Sequence, residues 1–291
     1  METDAMDLLA CVLELRPRGG AAEERPLPPW WGRAAHALLL SAIRQADPGL
    51  SEALHQGDSP RPFTASSLMG RFPGQRLDPA ETYRLRYTAL DAAVAARLWD
   101  ATRPGAPLGP GAVVALDRFP FDVRAVFSGS SESPWAGSAS YAALSAAHLL
   151  AGKAPARKIR LLFTSPTVFK SGGVYMPLPL PELVFGGLLA RWNQFAPLAM
   201  PEETQRYARE CLAVSAFSLR SRLAGTKHEG VRSGAVGEVA YAALNADRYW
   251  LSLIQALAAY AFYAGVGGGT TLGMGQCRPN PRPAARRGPA A

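Results

Sequence analysis

The sequence predicts an α+β fold in which one βαββαβ pattern occurs twice along the chain. In each half, apolar residues recur at the alternating spacing of strands and at the wider spacing of helices, in that order. Clusters of proline, glycine and serine separate the segments, as expected for turns. With 291 residues, 48% of them hydrophobic and 19% charged, the chain is long and apolar enough for two small cores. The predicted pattern is the ferredoxin-like, or RRM-like, arrangement.

The first copy is predicted over residues 1–128. Residues 6–16 are rich in β-prone side chains and end at the Pro-Arg-Gly-Gly turn of residues 17–20. Apolar residues at helical spacing then predict an amphipathic helix from about residue 30 to residue 47, which Pro48 ends. The remaining elements of this copy are predicted as strands at 62–69 and 83–90, a helix at 92–101 and a strand at 112–117.

The second copy is predicted over residues 157–279, after a connecting segment at 129–156 that is Ser/Gly-rich and then Ala/Leu-rich. Pro181 suits the first turn of a helix, on which Val184, Leu188, Trp192 and Phe195 share one face. The other predicted elements are strands at 158–165, 211–223, 231–243 and 274–278 and a helix at 247–264. Residues 280–291, with three arginines among proline and alanine, predict a disordered basic tail.

Charge and cysteine content predict a soluble, intracellular protein that binds polyanions. Lysine and arginine exceed aspartate and glutamate by 8 (31 against 23), and the pI is about 9.7, which favours nucleic acid over a membrane as partner. The three cysteines are scattered without a CxxC pair, so we expect no disulfides and a reducing, cytoplasmic compartment. Residues 1–15 lack the basic start of a secretion signal, and the most apolar run, 250–264, is too short for a membrane span.

Residues 262–276 (FYAGVGGGTTLGMGQ) contain six glycines, and their place in the chain limits what they do. A dinucleotide fingerprint or a P-loop runs from a strand through its glycines into a helix, and the P-loop ends in Gly-Lys-Ser/Thr. Here the glycines follow a predicted helix and enter a strand, and no lysine is present, so neither nucleotide site is predicted. The glycines either make a tight connection or let the backbone approach a neighbouring domain or a ligand.

Three blocks in the expected order resemble the CRISPR repeat-processing endoribonucleases, a branch of the repeat-associated RNA-binding superfamily. The blocks are the signature Gly265-Val266-Gly267 … Gly273-Met274-Gly275, residues 51–70 (SEALHQGDSPRPFTASSLMG), and residues 160–173 (RLLFTSPTVFKSGG) with Arg191-Trp192 on the next helix. The resemblance implies two tandem ferredoxin-like domains. It also implies an activity that cuts CRISPR precursor RNA within its repeats and needs no cofactor.

RNA is cleaved without a metal when a base takes the proton of a 2′-hydroxyl and an acid protonates the departing 5′-oxygen. Histidine suits proton transfer near neutral pH, and arginine suits the charged phosphate. A two-metal nuclease needs clustered carboxylates, and the acidic residues of this sequence are scattered. The resemblance assigns the general acid/base to His55, in a segment that we predict to be a polar loop, and the phosphate-stabilising residue to Arg61.

A second histidine, His36, is an alternative catalytic residue. It shares a helix face with Leu40 and Ile43, which favours packing, yet some relatives act through a histidine in this helix. Leu40 stands where certain relatives have a catalytic tyrosine, so the base for the 2′-hydroxyl is left open. We expect His148 to be structural and His228 to contact phosphate.

Cations on and near the strands of the second copy predict an RNA-binding surface. Along the strand at 211–223, Arg220 and Arg222 alternate with Phe217, Leu219 and Leu223, which predicts a charged face opposite a face in the core. The predicted RNA contacts are Lys158, Arg160, Lys170, Arg220, Arg222, Lys227, His228, Arg232, Gly267, Gly268, Gly269, Thr270 and Thr271. In the glycine loop, backbone N–H groups and threonine hydroxyls would make the contacts, or the loop would only seat one domain against the other.

We therefore expect a metal-independent endoribonuclease that cuts CRISPR precursor RNA into guide RNAs with 2′,3′-cyclic phosphate and 5′-hydroxyl ends. The alternative is a non-catalytic subunit that binds the guide RNA within a CRISPR effector complex. His55 beside Arg61 favours the enzyme, because a protein that only binds RNA needs no histidine there. The expected partners are repeat RNA and effector subunits, the expected state is a monomer or homodimer, and no cofactor or metal is expected.

Overall fold

Two main antiparallel β-sheets with helices packed on them form the fold. The computed structural model describes residues 6–18, 26–56, 60–225 and 231–280. The end of the predicted turn at 17–20, the loop residues Lys227 and His228, and residues 281–291 of the predicted tail lie outside these ranges. In the described part of the chain, no helix is both long enough and apolar enough to cross a lipid bilayer.

The first sheet comes from the N-terminal half and has the ferredoxin-like strand order. Its strands are β1 (Leu8–Pro17), β2 (Phe63–Ala65), β3 (Tyr83–Ala89), β4 (Val113–Leu116), β5 (Phe119–Phe127) and β6 (Gly137–Ala139), and its helices are α1 (Gly32–Ala46), α2 (Pro48–Gln56), α3 (Ala92–Ala101) and α4 (Tyr141–Leu149). The order is β2-β3-β1-β5-β4 with antiparallel neighbours, and β6 pairs with the start of β1. The predicted connecting segment at 129–156 therefore contains both β6 and α4.

The second sheet repeats this arrangement in the C-terminal half. Its elements are β7 (Lys158–Thr167), α5 (Pro181–Phe195), α6 (Glu203–Cys211), β10 (Leu212–Gly225), β11 (Val231–Ala243), α7 (Arg248–Ala264) and β12 (Cys277–Pro279), with a separate hairpin of β8 (Phe169–Ser171) and β9 (Val174–Met176). The strand order is β10-β11-β7-β12, again with antiparallel neighbours. β10 is therefore an edge strand.

The closing strand of the first ferredoxin-like unit is β5, and the prediction that placed it at 112–117 was wrong. β4 lies at the sheet edge, whereas β5 pairs directly with β1. Asp117 and Arg118 have positive φ angles of 46° and 77° and turn the chain tightly between the two strands. Two charged residues in left-handed conformations are a weak turn signal, since glycine and asparagine normally occupy such positions.

Helix α2 was not predicted, and it changes the setting of His55. α1 ends at Ala46, as the nearby proline suggested, but Pro48 then opens a second helix. Proline is well tolerated in the first helical turn, where its missing N–H costs nothing. His55 therefore lies in the last turn of α2, and its prediction as a loop residue was wrong.

Helix α7 is the most deeply buried helix of the second half and also contacts the first sheet. Its buried residues include Ile254, Leu257 and Tyr260, and Leu8 and Ala10 of β1 belong to the same hydrophobic core. The helix touches β1, β2 and β3 in addition to its own sheet. Its C-terminal end consequently delivers the glycine loop to α1 and β2.

Candidate active site

The glycine-rich loop, residues 265–275, has a backbone that requires glycine. Five of its glycines have φ between 63° and 93°, a region that other residues rarely adopt: Gly265, Gly267, Gly269, Gly273 and Gly275. A Cβ atom on Gly267 would lie 2.4 Å from the carbonyl oxygen of Val168. The loop thus allows main chains to approach more closely than side chains permit.

The loop joins the two halves of the chain through main-chain hydrogen bonds. The Gly268 N–H donates to the Val168 carbonyl at 2.8 Å, and the Gly273 N–H donates to the Ala65 carbonyl of β2 at 2.9 Å. The Gly268 bond lies within the C-terminal half, whereas the Gly273 bond seats one half against the other, which is one of the two roles that the sequence left open. Contacts of the loop residues 267–271 with RNA stay a prediction.

Helix α1 packs against the same loop. The Trp30 indole Nε1–H donates to the Leu272 carbonyl at 2.6 Å, and a Cβ on Gly32 would lie 1.8 Å from that oxygen. Neither residue was predicted to contact the loop. The sequence did contain one indication, the glycine at position 32 in the first turn of a helix. Glycine lowers helix stability, so its presence there suggests that another segment of the chain packs closely against the helix backbone.

His36, on α1, contacts the loop directly. Its Nδ1 lies 3.1 Å from the Thr271 carbonyl oxygen, and its ring packs on Phe63 with 5.3 Å between centroids. A carbonyl oxygen only accepts hydrogen bonds, so Nδ1 must carry the proton. In the neutral ring, Nε2 is then the acceptor.

The surroundings of His36 favour its neutral form. Burial lowers the pKa of the half-buried ring below its usual value, and the nearby charges of Arg61 and His55 lower it further, while the bond to Thr271 acts in the opposite direction. The effect of these two charges on His36 indicates that the three predicted catalytic residues lie in the same region of the protein. Whether they perform the predicted chemistry stays a prediction.

Arg61 caps the end of α2 next to His55. Its Nη1 donates to the Leu54 carbonyl and its Nη2 to the His55 carbonyl at 3.1 Å, which satisfies two of the last carbonyls of the helix. The side chain of His55 is exposed. Among the described residues, no three His, Cys, Asp or Glu side chains form a group that could hold a metal ion.

The predicted RNA-binding cations differ in their surroundings. Lys158, Lys170, Arg220 and Arg222 are exposed. The other two described cations have protein partners: Arg160 forms an ion pair with Glu238 at 3.2 Å, and Arg232 stacks over the Tyr175 ring at 4.1 Å.

The prediction that the apolar face of the strand at 211–223 lies in the core was wrong for two residues. Phe217 and Leu223 are 71% and 67% exposed, and only Leu219 packs partly against the core. The reason is that β10 is an edge strand with little of its length covered, so alternation alone does not imply burial.

A cleft of about 670 Å³ between the two halves lies beside the glycine-rich loop. Residues from both halves line it, among them Trp30, Ser67, Arg220, Arg222 and Gln276. The cleft therefore joins the basic edge strand to the loop that holds His36.

Comparison with known proteins identifies the family. The chain is 30% identical to the Thermus Cas6 protein TTHA0078 in a mutant with one histidine changed to alanine, and the match covers 94% of this chain and 99% of that one at a TM-score of 0.71. The chain belongs to the Cas6 family. The sequence model of the CRISPR-associated endoribonuclease Cas6 matches residues 161–277, which extend from β7 through the glycine-rich loop.

Other solved structures share the fold of this chain. A product complex of Cas6 TTHB231 from Thermus thermophilus is 29% identical, with a TM-score of 0.76 over 94% of this chain and 100% of that one. A Cas6-related protein from Pyrococcus furiosus is 11% identical, with a TM-score of 0.60 over 95% of this chain and 100% of that one, and shares the fold. Curated protein sequences give no match. The predicted family and tandem ferredoxin-like fold are confirmed.

Proposed function

We propose that this Cas6-family chain cuts CRISPR repeat RNA without a metal ion, by attack of a 2′-hydroxyl on the adjacent phosphate. The observation that carries the proposal is the hydrogen bond of His36 to the glycine-rich loop, with the charges of Arg61 and His55 acting on the same ring. In this reaction the 2′-O–P bond forms and the P–O5′ bond breaks. The products are a 2′,3′-cyclic phosphate and a 5′-hydroxyl.

His36 is the general base in this proposal. Its Nδ1–H is committed to Thr271, so the 2′-hydroxyl proton goes to Nε2. The lowered pKa of the half-buried ring keeps it neutral and able to accept that proton at pH 7. Leu40, one turn further along α1 and buried, offers no ionisable group where certain relatives have a tyrosine.

His55 is the general acid, and Arg61 offsets charge on the phosphate. The exposed His55 ring is accessible to substrate and donates the proton that the departing 5′-oxygen needs. The hydrogen bonds of Arg61 to the Leu54 and His55 carbonyls fix its guanidinium beside that acid. A fixed positive charge at this point stabilises the transition state, in which the phosphoryl oxygens carry more negative charge.

Repeat RNA is the proposed substrate because relatives with 29% identity are known as product and substrate-mimic complexes. Arg220 and Arg222 line the cleft beside the loop, and Lys158 and Lys170 are exposed on the same half. Such cations bind the phosphate backbone and make affinity depend on salt.

The test is single-turnover cleavage of a labelled repeat RNA by the purified protein in EDTA. We expect site-specific cutting, a loss of rate of about 10² to 10⁴-fold in His36→Ala and in His55→Ala, and retained RNA binding in both variants. His148→Ala, which alters a half-buried histidine of α4 away from the site, is the matched control and should cut at the wild-type rate.

Three results would overturn the proposal. The first is cutting that stops in EDTA and returns with a divalent metal. The second is wild-type cutting of an RNA that carries a 2′-deoxy sugar at the scissile position. The third is tight binding of repeat RNA with no cutting by the wild-type protein, which would favour the non-catalytic subunit.

A further inference from the structure

Arg86, on β3 of the first half, holds three groups around the glycine-rich loop. The residue is 1% exposed. Its Nε donates to the Trp135 carbonyl at 2.8 Å, its Nη1 to the Gln276 side-chain Oε1 at 2.7 Å, and its Nη2 to the Phe262 carbonyl at 2.6 Å. Phe262 precedes the loop and Gln276 follows it, so one guanidinium binds the chain on both sides of the loop.

Arg191, on α5 of the second half, holds the first residues of the loop. Its Nη1 donates to the Ala264 carbonyl at 3.0 Å and to the Gly265 carbonyl at 2.9 Å, and its Nη2 donates to the Gly267 carbonyl. The last carbonyls of a helix have no partner within the helix. Together the two arginines satisfy the end of α7 from opposite halves of the protein.

The acceptors explain how the buried charge of Arg86 is tolerated, and they also satisfy the partly buried guanidinium of Arg191. Among the described residues, the acceptors of both guanidiniums are backbone carbonyls and one amide oxygen, and the Phe262 and Ala264 carbonyls belong to the negative end of the α7 dipole. The Arg86 guanidinium also lies 4.6 Å from the Phe262 ring centroid. Burial lowers the pKa of Arg86 to about 10, so the side chain remains charged at neutral pH.

A side chain that only filled this space would not need a charge. An apolar residue of similar volume avoids the cost of removing a guanidinium from water. What a guanidinium adds is a rigid, planar set of donors that fixes several oxygens at once. We therefore attribute to Arg86 and Arg191 the role of fixing the backbone geometry of the glycine-rich loop.

The backbone geometry of the loop also determines the position of the hydrogen-bond partner of His36. The loop is held at residues 264–267 by Arg191 and on either side by Arg86, and Thr271 lies between these points. The Thr271 carbonyl is the group that keeps the proton on His36 Nδ1.

We propose that Arg86 and Arg191 are positioning residues for RNA cleavage, which hold the Thr271 carbonyl where it fixes the tautomer and orientation of His36. This inference rests on the proposed function, because it matters for catalysis only if His36 is the base. It predicts that replacing either arginine lowers the rate of cleavage more than it lowers the affinity for RNA.

The test compares Arg86→Met and Arg191→Met with Arg157→Met. Arg157 also donates to backbone carbonyls, those of Ala243 and Leu244, but away from the loop, and is the matched control. Single-turnover cleavage over a range of protein concentrations separates the maximal rate from RNA affinity. Nitrogen-15 NMR of the histidine rings in the RNA-free protein reports the His36 tautomer without any catalysis.

We expect each of the two loop variants to lose about 10²-fold in maximal rate with little change in RNA affinity, and to populate the Nε2-protonated tautomer of His36. The control should retain the wild-type rate and tautomer. If a methionine variant does not fold, Arg86→Lys and Arg191→Lys, which keep the charge but not the planar donors, replace it in both measurements. An unchanged His36 tautomer in folded loop variants overturns the inference, whereas wild-type cutting by His36→Ala overturns the proposed function instead.

Discussion

The Nδ1 atom of His36 lies 3.1 Å from the carbonyl oxygen of Thr271, a residue 235 positions later in the chain. The first helix of the N-terminal half and the last loop of the C-terminal half thus share one hydrogen bond. Because the partner is a carbonyl, the bond also decides which ring nitrogen of His36 is protonated.

We predict that His36 in the RNA-free protein titrates with a pKa below 6.5, because burial disfavours the imidazolium. Cleavage needs the neutral ring, so the rate should rise with pH through a midpoint below 6.5. Two-dimensional NMR of the histidine rings measures the pKa, and a pH–rate profile measures the midpoint. A His36 pKa at or above 6.5 would contradict the assignment of the base.

The same pKa has a consequence for stability. Below pH 6.5 the unfolded chain binds a proton at His36 more readily than the folded chain does, so the free energy of unfolding falls as the pH falls. His36→Gln, which keeps a donor for Thr271, should lose less stability between pH 8 and pH 5.5 than the wild type does. Urea unfolding at the two pH values measures the difference.

We predict that Gly267→Ala destabilises the protein by about 2 kcal/mol or more. The φ of 76° strains any other residue, and the added Cβ would lie 2.4 Å from the Val168 carbonyl oxygen. Gly268→Ala is the control in the same loop, since its Cβ would meet only an ordinary contact at 3.8 Å. Its stability should change by no more than about 0.5 kcal/mol. Urea unfolding measures both changes. Equal losses of unfolding free energy in the two variants would contradict the close approach of Gly267 to the Val168 carbonyl.

We predict that Arg220→Ala and Arg222→Ala each reduce the salt dependence of repeat-RNA binding. Loss of one phosphate contact should lower the slope of log K against log salt concentration by about 0.7 to 0.9. Arg209→Ala is the control for net charge, because Arg209 is exposed on α6 and paired with Glu210 at 2.9 Å. Fluorescence anisotropy at several salt concentrations measures the slope. If Arg209→Ala lowers the slope by the same amount, the effect reflects net charge, and the assignment of the cleft to the RNA-binding surface is wrong.

We predict that Cys211 is the reactive thiol of the native protein. All three cysteines are free, Cys211 is half-buried, and Cys11 and Cys277 are fully buried. Burial raises the pKa of the Cys11 thiol to about 12 and also raises that of Cys277, so neither forms the reactive thiolate at pH 8. Titration with a chromogenic disulfide should count one thiol before denaturation and three after it. A fast reaction that survives Cys211→Ser would be inconsistent with this burial.

Most helices and strands of the fold could be predicted because their apolar spacing is regular. The predicted bounds of α3 and β11 agree with the structure, and α7 differs by one residue. β5 was missed because Asp117 and Arg118 make a turn that composition does not mark, and α2 because a proline read as a stop also starts a helix. The spacing of apolar residues along a segment indicates only the conformation that the segment itself prefers. Both errors occur at turns where that preference is weak.

The candidate site could be predicted only as a set of residue types. Histidines, an arginine and a glycine loop were visible, together with their order along the chain and their resemblance to a family. No sequence pattern indicates that Arg86 and Arg191 hold the loop, because an arginine that binds carbonyls has no characteristic spacing.

The sequence by itself determined the repeated βαββαβ fold, the basic character and the glycines, since these depend on side-chain type and spacing along one chain. Only the tertiary structure decided that His36 meets Thr271, that β10 lies at an exposed edge, and that Arg86 crosses between the halves. The physical reason is distance along the chain. Contacts between residues 36 and 271 or 86 and 276 arise when two sheets and α7 pack together, and no short segment specifies that packing.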